Sequence, residues 1–281
     1  MRTLNIWEFT LLVWIGSFTA GFVGALTGLG GGVVIVPLLT SVFAVDIRYA
    51  VGASLVSVIA TSSGAASAYI KQGFTNLRLG MFLEVATTVG ALIGAAIAAF
   101  ISVKALTIVL AVVLLYSAYL SQQPRPEQLE NESTDGLVSY LKLNGTCPTP
   151  NGLMPYQVHS VHIGFSVMVV AGVISGLLGI GSGAFKVLAM DQAMRLPFKV
   201  STTTSNFMIG VTAAASAGVY LARGYIDPGL SMPVMLGVLP GALLGAKVLA
   251  GAKTKVLRIV FSLVLVLMAL KMVYNNLLGG I

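Results

Sequence analysis

Eight stretches of roughly 20 mostly apolar residues, each long enough to cross a bilayer at about 1.5 Å per residue, dominate this chain. They run over 9–29, 50–70, 79–100 and 103–121, then 160–180, 200–221, 229–250 and 255–278. Inside lipid every backbone polar group must be satisfied within its own segment, so this pattern specifies an all-α polytopic membrane protein. Of the 281 residues, 57% are hydrophobic and 9% charged. That is too little charge to cover a soluble domain. One cysteine and two histidines leave no disulfide framework and no zinc or haem cluster, and no cofactor is expected. The net charge of +7 belongs to the basic loops that cytoplasmic faces carry. No basic run is interleaved with aromatics, which excludes nucleic acid as a partner. The opening MRTLNIWEF has no small-residue cleavage site behind it and reads as a retained segment.

The chain divides into a first transmembrane repeat (1–121), a polar linker loop (122–158) and a second repeat (159–281). The linker contains QQPRPEQLENESTDG, which is acidic, proline-bearing and without helical periodicity. A displacement of 151 superimposes Gly28, Gly30 and Gly32 on Gly179, Gly181 and Gly183. The same displacement carries Tyr69 to Tyr220, Gly73 to Gly224, and Gly90 and Gly94 to Gly241 and Gly245. Around 51–57 against 200–206 the match is better at 149, which predicts a two-residue difference in the preceding loop.

Two further apolar stretches, 33–44 and 184–194, are too short to span and follow directly on glycine clusters. They are predicted to be half-helices, each closing a glycine-broken hairpin. With such hairpins each half has an odd number of further crossings, so the halves are expected to be inverted repeats. In that arrangement one side carries Lys71, Arg78, Arg195, Lys199, Lys253, Lys255, Arg258 and the linker, against Arg2, Arg48, Lys104 and Arg223 opposite. The positive-inside rule then makes the linker side cytoplasmic.

The clusters Gly28-Leu29-Gly30-Gly31-Gly32 and Gly179-Ile180-Gly181-Ser182-Gly183 carry the candidate chemistry. Glycine adopts positive φ freely, so such runs break a helix and turn the next helix's free N–H groups toward the break. Two breaks make an anion site near the midplane, with Gly28, Gly30, Gly31, Gly32, Gly179, Gly181, Ser182 and Gly183 as candidate binding residues. Gly90, Gly94, Gly241 and Gly245 sit at four-residue spacing and read as close-packing positions. Lys186, three residues past Gly183, is an intramembrane cation and a functional candidate on that ground. The run Ser201 to Asn206 supplies hydroxyl and amide donors, of which Thr203 and Asn206 are the selected candidates. Glu84 and Asp191 are expected at the membrane interface, and His159 and His162 in a wet loop.

These residues resemble the sulfite exporter TauE/SafE family of membrane permeases for sulfur-containing anions. The resemblance rests on GALTGLGGGVVIVPLLT (24–40), AVGASL (50–55) and the echo SGLLGIGSGAFKVLAM (175–190). Ser182 and Leu188 stand where the family often has a glycine and a proline, and Lys186 is an addition. The resemblance implies transport of sulfite, a sulfonate, thiosulfate or another small organic anion across the cytoplasmic membrane.

A secondary transporter working by alternating access is therefore the leading expectation, with the anion and the bilayer as partners and homo-oligomerisation left open. No nucleotide-binding glycine-lysine motif occurs, so the chain is not expected to use ATP directly. An intramembrane serine hydrolase built on Ser182 is the alternative, but both histidines precede Ser182 by about twenty residues along one span, too far to serve as base. A passive anion channel is the other; accumulation against a gradient would exclude it.

Overall fold

A computed structural model describes residues 5–102, 136–149, 152–179 and 181–277, together with 104, 105, 108, 111, 112, 115, 116, 118 and 119. The expected span over 103–121, the acidic part of the linker and Ile180 fall wholly or largely outside these residues. The first half contains α1 (Ile6–Thr27), α2 (Gly32–Ser41), α3 (Ile47–Lys71) and α4 (Leu77–Ile97), ending in a 3-10 turn, Ala98–Phe100. Next come α5 (Gly136–Leu141) and a hairpin of β1 (Gly145–Thr149) and β2 (Gly152–Tyr156). The second half contains α6 (Val161–Leu178), α7 (Gly183–Leu188) with a π-helical turn (Ala189–Ala193), α8 (Phe198–Ala222), α9 (Pro228–Gly251) and α10 (Thr254–Leu277). Among the described residues α1, α3, α4, α6, α8 and α9 are long and apolar enough to cross a membrane. Their outward faces carry large apolar side chains such as Trp7, Val85, Leu92, Val170 and Leu236. The molecule is an α-helical, multi-pass membrane protein.

Local chemistry recurs at a displacement of 151. Leu79 N–H donates to the Asn76 side chain to start α4, and Gly229 N–H donates to Asp227 to start α9. α3 ends at Gly73 and α8 at Gly224, both at positive φ. Phe74 N–H returns to the Tyr69 carbonyl there, and Tyr225 N–H to that of Tyr220. The hydroxyl of Tyr69 donates to the Ala25 carbonyl at 2.8 Å, and that of Tyr220 lies 3.4 Å from the Gly176 carbonyl. The displacement of 149 expected around 51–57 does not hold: Val51 and Thr202, like Ser54 and Ser205, occupy matching places. Small and hydroxyl residues fill both stretches, so their sequences slide by two without penalty, whereas their contacts do not.

The tightest packing joins the halves: α1 lies against α9, α4 against α6, and α3 against α8 at the centre. Glycines set these distances. A Cβ at Gly90 or Gly94 would strike the Val169 or Val173 carbonyl on α6, and one at Gly241 or Gly245 the Phe18 or Phe22 carbonyl on α1. Small residues that let backbones touch replace the hydrophobic drive that lipid cannot supply.

The linker corrects the sequence reading. Residues 136–149 and 152–158 fold into a cap: Val138, Leu143, Cys147, Tyr156 and Val158 are buried in one cluster with Phe74, Leu79, Met194 and Val200. Asn76 Nδ2 donates to the Leu143 carbonyl at 2.8 Å and to the Tyr156 hydroxyl at 3.0 Å. Burial pushes that phenol up to about 12 and raises the Cys147 thiol as well. The acidic first half of the linker masked the alternation of GTCPT and GLMPY, too short to register as periodicity.

Candidate functional site

Both glycine clusters break their helices. Gly28, Gly30 and Gly31 have φ of 78°, 76° and 74°, and Gly179, Gly181 and Ser182 have 64°, 76° and 49°. Gly28 closes α1 and Gly31 precedes α2, while Gly179 closes α6 and Ser182 precedes α7. The predicted half-helix over 33–44 is α2, and that over 184–194 is α7 with its π-helical turn. Among the described residues, the first-turn N–H groups of α2, on Gly32 and Val33, and of Gly183 in α7 show no intrahelical carbonyl acceptor.

The two breaks touch. A Cβ on Gly183 would overlap the Gly28 carbonyl oxygen and stand 2.7 Å from Leu29 Cα. Gly30 and Gly181 share the same neighbours, Val58 of α3 and Ile209 of α8. Gly28 lies against Thr202 and Gly179 against Val51. Break carbonyls are occupied by hydroxyls: Ser54 donates to Gly179 O at 2.8 Å, and Ser205 bridges Gly28 O at 3.0 Å and Gly183 O at 3.4 Å. The first-turn N–H groups of α2 and α7 open toward the same breaks, and such groups suit an anion.

Several buried atoms beside the breaks carry no partner among the described residues: Ser57 Oγ, Ser182 Oγ, Thr202 Oγ1 and Asn206 Oδ1. Leaving such a group unpaired costs about 1–3 kcal/mol. Ser182 is the sharpest case, since it is 1% exposed and holds a left-handed conformation that Gly31 adopts freely. A non-glycine residue there costs about 1–2 kcal/mol. Ser182→Gly is therefore expected to stabilise the protein by about 1 kcal/mol, read as a higher Tm in detergent. A lower Tm would mean that the hydroxyl is structural.

The other sequence candidates divide. Asn206 Nδ2 donates to the Ala25 carbonyl at 2.9 Å, so the amide reaches the end of α1, close to the first break. Thr203 faces elsewhere; its hydroxyl lies 3.1 Å from the Phe74 carbonyl and 2.9 Å from that of Lys199, tying α8 to the α3–α4 connection. Lys186 is fully buried and its ammonium is 3.2 Å from Glu84 Oε2, with a further bond to Thr212. Glu84 and Asp191 are buried within the protein, at 6% and 1% exposed. Glu84 lies two turns inside α4, and hydropathy along one helix does not reveal which neighbour that face meets. Thr87 and Thr212 were missed; Ser54 and Ser205 belong to the two hydroxyl-rich runs but were not selected, although they stand 151 apart, a signal open to sequence inspection. His162 begins α6, and Ser182 follows its opposite end some 27 Å away at 1.5 Å per residue. Ser182 therefore has no histidine base.

The family model described as Sulfite exporter TauE/SafE matches residues 13–272. The chain belongs to the sulfite exporter TauE/SafE family. The match spans both glycine breaks and every helix from α2 to α9. Among curated relatives, the probable membrane transporter protein YunE of Bacillus subtilis is 27% identical over 280 residues, covering 96% of this chain and 98% of that one. The probable membrane transporter protein YdhB of the same organism is 26% identical over 238 residues, 84% and 89% of the two chains. A probable membrane transporter protein of Xylella fastidiosa (strain 9a5c) is 25% identical over 272 residues, 95% and 96%. No solved structure matches the chain at a significant level. This TauE/SafE protein is a membrane transporter of the cell membrane rather than an enzyme.

Proposed function

We propose that this transporter carries a small oxyanion, sulfite or a sulfonate being the leading substrates, by alternating access about the two glycine breaks. The observation that carries the reading is the meeting of two interrupted helices beside a buried, unpartnered Ser182 hydroxyl. Ser54 and Ser205 occupy the Gly179 and Gly28 carbonyls, and the helix N-termini of α2 and α7 face the breaks with donors, which supports selection for negative charge. Gly28, Gly30, Gly31 and Gly32 line one side of the binding site and Gly179, Gly181, Ser182 and Gly183 the other, with Asn206 behind. Thr203 is a brace for α8, on the strength of its bond to Phe74. The family name and the relatives' description as transporters support a permease.

In this reading residues 1–121 and 159–281 are inverted repeats of one unit, and the recurrence of caps, turns and tyrosine bonds at 151 supports the duplication. Rocking of one set of helices against the other would expose the breaks to each face in turn. Flux of 35S-labelled sulfite, thiosulfate and sulfoacetate into proteoliposomes tests it. Saturable uptake of at least one is expected, abolished by Gly181→Val, which forces a side chain between Val58 and Ile209. Uptake of all three no faster than in empty liposomes would overturn it.

A further inference from the structure

A buried ion pair between the halves, Lys186 of α7 with Glu84 of α4, occupies a position whose counterpart at a displacement of 151 is hydrocarbon. Lys186 donates to Glu84 Oε2 at 3.2 Å and to the Thr212 hydroxyl, which in turn donates to Glu84 Oε1. Thr87 donates to Oε2 at 2.9 Å and Thr88 to Oε1 at 3.2 Å. At a displacement of 151, Lys186 corresponds to Ile35, Glu84 to Met235, Thr87 to Val238 and Thr212 to Thr61. Ile35 and Val238 are fully buried in one apolar cluster, and Thr61 turns its hydroxyl back to its own helix at Ser57. The fold thus closes without charge at this position. A buried ion pair replaced by matched hydrocarbon is often neutral or stabilising, so packing does not account for the pair, and an ionisable group inside a span is functional by default.

The pair adjoins the break. Lys186 N–H donates to the Ser182 carbonyl at 3.1 Å, one turn back. In the first half a Cβ at Gly31 would stand 3.4 Å from Thr61 Oγ1; Ser182 and Thr212 are the corresponding residues, and Ser182 carries that Cβ. Other titratable groups on the surrounding elements are set apart by position. Arg78, His162 and Lys199 lie in the first turns of α4, α6 and α8, and Tyr156 and Cys147 belong to the cap over the start of α4. Arg223 donates to the Ala95 carbonyl near the end of α4, the Tyr220 hydroxyl is on the Gly176 carbonyl, and Asp191 accepts from Gln192 in the π-helical turn.

Ion-paired with Glu84, the ammonium has no charge to spare for an anion in the break. We propose that Glu84 is the proton site that couples transport to the proton gradient. A proton from solution bonds to the Glu84 carboxylate, Lys186 keeps its own three, and the released ammonium pairs with the anion beside Ser182. When the anion leaves, the proton departs and the Lys186–Glu84 pair re-forms. One proton accompanies one substrate through each cycle. The proposal deepens the anion-transport reading and rests on it.

The test measures anion binding and proton uptake on one sample of purified protein in weakly buffered detergent solution. The probes are 35S-thiosulfate and 35S-sulfoacetate, both fully ionised near neutral pH. The wild type is expected to take up about one proton per bound anion, with affinity rising up to about tenfold for each unit that pH falls. Glu84→Gln, whose amide mimics the protonated acid, is expected to bind at every pH with no proton uptake. Anion bound by the wild type without proton uptake overturns the proposal, and so does unchanged uptake in Glu84→Gln. If the variant fails to fold, the wild-type measurement decides alone. Binding of neither probe overturns the anion reading itself, a failure distinct from binding without a proton.

Discussion

Lys186→Ile is expected to destabilise the protein by about 3–5 kcal/mol, and Glu84→Met by a similar amount, because each leaves one charge buried without its partner. Combined, Lys186→Ile with Glu84→Met is expected to return to within about 1 kcal/mol of the parent, or to exceed it. The reason is visible at the positions related by 151, where Ile35 of α2 and Met235 of α9 stand in place of the pair and Ile35 is fully buried. Thr212 needs no charged partner either, since Thr61 bonds its own helix at 2.8 Å. Denaturant unfolding in micelles over the four proteins gives the coupling energy. Losses that simply add in the double variant would show that the pair is held for stability, and would remove the reason for assigning it a role in coupling.

Gly183→Ala is expected to be nearly as severe, for a steric reason alone. Its Cβ would enter the Gly28 carbonyl oxygen and crowd Leu29 Cα. Those are backbone atoms, which cannot swing aside as a side-chain tip can. Overpacking typically costs about 1–3 kcal/mol, and contact with backbone puts this variant at the upper end or beyond. Because the same contact holds the two breaks together, transport is expected to be lost with it. Gly218→Ala is the control: it lies within α8 with nothing near the added carbon, so its helix should gain about 0.5–1 kcal/mol. Equal Tm values for the two variants would mean that the breaks do not meet as described.

The hairpins were legible in the chain because a glycine cluster followed by a half-length apolar stretch has few alternatives inside lipid. Gly90 and Gly94 were legible for a similar reason, since four-residue spacing on a regular span marks a close crossing. The ion pair of Glu84 was not legible because its partner lies 102 residues away on α7. The residues around Glu84 look like those of any span end. The cap of α5, β1 and β2 was not legible because its short strands pack on Phe74, Leu79 and Met194 beneath them, which adjacent sequence does not announce.

Sequence by itself determined the apolar character of the six described spans, the two helix breaks, the displacement of 151 and the family. Each follows from one-dimensional pattern, because lipid obliges every crossing segment to satisfy its own backbone. Only the tertiary structure decided that the breaks touch, that Ser205 bridges them, that Thr203 turns away, and that Lys186 already has a carboxylate. Those are matters of which helix face meets which, and they are set by glycines that let backbones approach until distant residues share one polar cluster.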